Sequence, residues 1–208
     1  MIGRASPDTR RGCGAMITAA LFCSLCTDRS ANAAEIDLSD LRGYSIDAEW
    51  ISNKRQTRVP RSGQRTRHKG NDRFVDRIYI SKTGRLFHRR QHYDLKQSRT
   101  KPISSYDNIR SGRSDRLEWV LNSTFVLRNI PSDDRDKATY ARIVRIALSQ
   151  SNGSFSCSVK VSLALKKGEK EYIRYEAHGL HWIVHSFNAR QKSCRVFNGN
   201  VFKGEVGP

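Results

Sequence analysis

Residues 154–165 read SFSCSVKVSLAL. Phe155, Cys157, Val159, Val161, Leu163 and Leu165 alternate with Ser154, Ser156, Ser158, Lys160, Ser162 and Ala164. A period of two over that length puts one set of side chains on each face of an extended strand, one face buried and one wet. Immediately before it stands Asn152-Gly153, a pair suited to a tight hairpin turn because both residues accept positive φ. Such a turn needs a strand on its other side. Residues 141–149 (ARIVRIALS) read two ways on their own: Tyr140, Ile143, Val144, Ala147 and Leu148 fit a helical face, while Val144, Ile146 and Leu148 alternate. The turn decides for a strand.

The same reasoning extends in both directions. Lys166-Lys167-Gly168 turns the chain into 171–177 (EYIRYEA). His178-Gly179 turns it into 180–187, with Leu180, Trp182 and Val184 on one face. Asn188 to Lys192 reads as a connection to a further strand at 193–197 (SCRVF), closed by Asn198-Gly199-Asn200. Upstream, Tyr44, Ile46, Ala48 and Trp50 alternate, 73–81 and 85–93 form a hairpin about Lys82-Thr83-Gly84, and 116–121 and 123–130 are rich in β-formers. Two basic stretches, at about 54–72 and 94–115, read as loops without regular structure; 54–69 contains no acid. The expected fold class is all-β, an antiparallel meander-type barrel or sandwich of about nine or ten short strands.

Residues 1–33 have the order of properties of a cleavable signal peptide. Arg4, Arg10 and Arg11 give a positive start, Ala15–Cys26 is apolar and uncharged, and Ala31-Asn32-Ala33 offers small residues at −3 and −1. The apolar run falls short of the roughly 20 residues a helix needs to cross a bilayer. Gly12-Cys13-Gly14 does not continue Arg10-Arg11 as a twin-arginine signal would. The expectation is a periplasmic or extracellular protein cut near Ala33/Ala34, with one β-rich domain over 34–208 and no membrane span in the mature chain.

Cleavage would remove Cys13, Cys23 and Cys26, leaving Cys157 and Cys194. An even pair in an oxidising compartment reads as a disulfide, which would contribute about 4 kcal/mol in the chain-entropy model; two separate thiols are the alternative. Cleavage also removes four Arg and the acids Asp8 and Asp28, so the +18 of the whole chain falls by two.

The segments LSDLRGYSIDAEW, ARIVRIALS, FSCSVKV, SFNARQKSC and NGNVF together resemble a group of small exported proteins of soil-dwelling Gram-negative bacteria. The resemblance covers the first mature residues and 117–202. It implies a single exported β domain with Cys157 paired to Cys194, and it implies no activity. The basic insertions at 54–69 and 94–115 depart from it.

No catalytic or cofactor signature is present, so neither a cofactor nor a metal is expected. His178, His181 and His185 would share a helix face, but on a strand His181 and His185 stand about 13 Å apart, too far to hold one ion. His88 and His92 fail likewise, and no HExxH glutamate accompanies them. A ribonuclease-type phosphodiesterase would need two histidines near a cation; His88, Arg90, His92 and His181 are the candidates for it. There is no G-x-S-x-G turn for serine hydrolysis. Charge points elsewhere. A strongly basic domain attracts polyanions, and Lys54, Arg55, Arg58, Arg61, Arg65, Arg67 and Lys69 are the expected contacts. The partner expected is an anionic polysaccharide, lipopolysaccharide or nucleic acid, bound without catalysis. The alternatives are the phosphodiesterase and a protein-interaction module with no polyanion ligand.

Overall fold

In the computed structural model, residues 35–93, 98–100, 104–106, 115–129, 139–165, 173–177 and 180–206 are described; the leader expected at 1–33 and the turns expected at 166–168 and 178–179 lie outside them. The chain is all-β. Eleven strands are described: β1 Tyr44–Val59, β2 Thr66–Ile80, β3 Leu86–Tyr93, β4 Ser98–Thr100, β5 Ser104–Tyr106, β6 Asp115–Val120, β7 Thr124–Asn129, β8 Tyr140–Ser151, β9 Ser154–Leu165, β10 Ile173–Ala177 and β11 Leu180–Asn198. They form two antiparallel sheets. The larger runs β10-β11-β1-β2-β3-β4, with β5 also paired to β3, and the smaller runs β6-β7-β8-β9. The sheets do not close into a barrel; their arrangement is sandwich-like, with Ile46, Trp50, Phe74 and Ile78 of one sheet in a common core with Leu117, Phe125, Val144 and Ile146 of the other.

The stretch 154–165 is a strand as read, and Phe155, Cys157, Val159 and Val161 pack against that core. Asn152 (φ 49°) and Gly153 (φ 74°) make the turn into it from β8. Cys157 and Cys194 form a disulfide, with Cα atoms 5.5 Å apart. The bridge ties β9 of the smaller sheet to β11 of the larger.

Four expectations need correction. The order is not a meander of short strands, because the last strand returns to pair with the first: Tyr44 opposes Asn198 and Val59 opposes His181. Residues 54–69 are not a loop. β1 and β2 continue through them, paired from Arg58↔Thr66 inward, and only 60–65 connect the strands. Residues 188–192 are not a connection either, since β11 passes through them unbroken. Its register against β1 shifts twice, leaving Lys192 and His185 as extra residues, and such bulges re-aim a side chain while keeping the ladder. The second basic stretch, 94–115, contains β4, β5 and the first residue of β6. Among the described residues, no helix is long and apolar enough to cross a membrane.

Candidate functional site

The inner face of the larger sheet changes character along its length. Ile46, Ile78, Ile80 and Leu86 at one end are fully apolar and buried. At the next positions the ladder sets Trp50, Phe74 and His92 side by side across β1, β2 and β3, their rings stacked with centroids 4.1 and 4.4 Å apart. The same ladder places Asp76 opposite Arg90, on the face they share with Trp50 and Phe74. Asp76 is fully buried and is surrounded by donors. Arg90 donates from Nε to Oδ1 at 2.7 Å and from Nη2 to Oδ2 at 3.1 Å, Trp50 Nε1 donates to Oδ2 at 2.8 Å, and His88 Nε2 lies 3.0 Å from Oδ1. Burial works to raise the Asp76 pKa but is outweighed by the charge of Arg90 and the bond to His88, so the carboxyl is held well below the usual range.

One step further along lie Ser52 and Asp72. Asp72 Oδ1 is 3.1 Å from His92 Nε2, and Lys54 Nζ is 3.0 Å from Oδ2. Burial again opposes ionisation, and the contacts with His92 and Lys54 prevail, bringing Asp72 from 3.8 to about 2. Gly70 faces Lys54 across the ladder, and a Cβ there would stand 2.9 Å from Lys54 Cε, so the lysine side chain would have to shift. The smaller sheet contributes Arg142 from β8, with its guanidinium carbon 4.7 Å from the centre of the Phe74 ring and 5.5 Å from that of Trp50. Burial pushes the Arg142 pKa down from its ordinary value. Tyr140, buried on the same face of β8, has its pKa raised by burial.

The hairpin end of β1 and β2 forms a second zone. The register puts Arg55 opposite Lys69 and Thr57 opposite Arg67, so the three cations share the outer face. None of the three has an ion pair among the described residues. The acids further along the sheet are taken: Asp47 lies by Arg77 and Arg195, Glu49 by Arg73 and Lys192, and Glu205 by Arg89. Arg55, Gln56, Arg67, His68, Lys69 and His185 line an open groove of about 690 Å³. An adjoining groove of about 470 Å³ shares Arg55 and Lys69 and adds Asn53, Asn71, Phe187 and Asn188.

The residues expected as a binding loop therefore divide. Arg55, Arg67 and Lys69 come together, Arg61 and Arg65 sit in the 60–65 connection, Arg58 faces inward opposite Thr66, and Lys54 is committed to Asp72. Exposed cations also occur on the smaller sheet, where Arg145 opposes Lys160. Of the residues weighed for phosphodiester chemistry, His88, Arg90 and His92 share the inner face. His181 opposes Val59 on the outer face and does not join them. His88 and Arg90 are buried and turned toward Asp76. Asp72, Asp76 and Arg142 were not singled out from sequence, though one signal was present. Asp72, Asp76, His88, Arg90 and His92 occupy the very parity of their strands that should be apolar. Among the described residues, no group of His, Cys, Asp and Glu is arranged to hold a metal ion.

Comparison with protein-family models, with curated proteins and with solved structures finds no match.

Proposed function

We propose that this is an exported, non-enzymatic protein, a two-sheet sandwich that binds an anionic polymer across the outer face of its β1–β2 hairpin. The observation that carries the reading is the placing of Arg55 directly opposite Lys69, with Arg67 beside them and, among the described residues, no carboxylate partner for any of the three. Like charges in facing positions destabilise a strand pair, and a groove lined by them supplies anion contacts in return. Asparagines, Ser186 and Phe187 beside the cations suit a sugar polymer bearing carboxylate or sulfate groups. Export rests on the leader read at 1–33, with the mature chain beginning at Ala34.

The test is salt dependence. Heparin and duplex DNA should bind the parent protein with affinity that falls steeply as salt rises, since each anion contact releases counterions. Replacing Arg55, Arg67 and Lys69 together by Ser should lower the slope of log affinity against log salt by about 2–3 on DNA. Binding that survives the triple substitution unchanged would remove the hairpin from the proposal.

A further inference from the structure

Arg142 is 7% exposed, yet among the described residues its guanidinium has no hydrogen bond and no carboxylate partner, and its Nε is buried without any acceptor. The aromatic pair beneath it, Trp50 and Phe74, supplies face contact but accepts no strong hydrogen bond. The two carboxylates of the same layer are engaged elsewhere, Asp76 by Arg90 and Asp72 by Lys54. Lys54, Arg90 and Arg142 thus exceed Asp72 and Asp76 by one positive charge before the histidines and the inward-facing Arg58 further along β1 are counted. Other buried atoms of the inner face also lack a hydrogen bond among the described residues: the Oγ of Ser52, one ladder position from Trp50, the Nε of Arg58, and Oδ2 of Asp72, which has only its ion pair with Lys54. Burying a charge without a partner costs several kcal/mol, and the outer edge of a guanidinium matches two oxygens of a carboxylate or phosphate.

We infer that Arg142, packed above the Trp50–Phe74 stack, is a binding residue for a small oxyanion, a carboxylate or phosphate group, taken up on its guanidinium. The site is separate from the hairpin groove. It lies on the inner face of the larger sheet, whereas Arg55, Arg67 and Lys69 lie on the outer one.

The experiment follows the Arg142 Nε–H resonance by proton–nitrogen NMR in the disulfide-intact protein, during titration with glucuronate and, separately, with glucose 6-phosphate. The resonance is assigned by its disappearance in Arg142→Met. Saturable movement with either compound supports the site, and the compound that binds identifies the source of the oxyanion. The shift should persist in the variant lacking Arg55, Arg67 and Lys69, which sets this site apart from polymer binding, and it should be absent in Arg142→Met. That variant should melt no lower than the parent, because it relieves an uncompensated buried charge. A resonance that neither compound moves overturns the inference. So does an Arg142→Met protein that melts far lower or fails to fold, since the guanidinium would then be part of the framework.

Discussion

At the scale of single residues, the buried carboxyls set how the protein responds to acid. Asp72 and Asp76 are both held below the ordinary aspartate range in the folded state. A depressed folded pKa contributes stability that is complete above the unfolded pKa, near 3.8 for Asp72, and is lost as pH falls through the folded one. For Asp72, with a folded value of about 2, the contribution is about 2 kcal/mol, and Asp76 adds to it. Thermal melts followed by circular dichroism should therefore be flat with respect to these groups from pH 7 to about 5. They should then fall steeply between about pH 4 and 2. A melting temperature as high at pH 2 as at pH 6 would mean that the two carboxyls are not ionised in the fold. Their partners were illegible beforehand for a physical reason. Periodicity ranks positions by hydrophobicity, and a charged side chain in a strand reads as solvent-facing unless its partner is known. Asp76 finds its partners Arg90 and Trp50 14 and 26 residues away in the chain, so nothing local announces them.

At the scale of elements, β9 was the easiest to read because alternation and an Asn-Gly turn agree, and β3, β6, β7 and β8 followed from similar patterns. β1 and β2 were cut short in the reading for an instructive reason. Alternation of apolar residues stops at Trp50, but Ser52 and Gln56 continue the same buried face as polar residues, and the backbone ladder continues with them. β11 was divided because 188–192 are mostly polar and exposed; hydrogen bonding to β1 keeps that stretch extended, with Ala189 alone of the five packed against the core as a hydrophobic residue. The Cys157–Cys194 bridge joins two of these elements across the layers. Cys157→Ala/Cys194→Ala should lose about 4 kcal/mol of unfolding free energy by urea denaturation, with the far-ultraviolet β signal retained in the absence of denaturant. A loss under about 1 kcal/mol would indicate that residual structure in the reduced, unfolded chain already restrains it nearly as much as the bridge does.

At the scale of the whole molecule, the all-β class and the antiparallel sense were legible, whereas the strand order was not. Local turns reveal which neighbours in sequence can pair; they carry no trace of a return from residue 198 to residue 44. That return makes β1 an interior strand, flanked by β2 and β11. Truncation after Asn188 should strip the partners from Tyr44 through Ser52, which face Asn198 through Ala189, and abolish the cooperative unfolding transition. A truncated chain that still melts in one sharp step would show that β11 is an accessory. Refolding of the full domain should be slow, in the millisecond-to-second range of topologies dominated by distant contacts.

The pairing of the first strand with the last has a consequence for a chain made or threaded from its N-terminus. β1 is the earliest strand to emerge, and it stays half-templated until the final residues arrive, because half of its hydrogen-bond rows belong to β11. The bridge has the same timing, since Cys194 closes a loop begun at Cys157. Vectorial assembly therefore cannot finish early. The larger sheet is complete only when residue 198 is available to oppose residue 44.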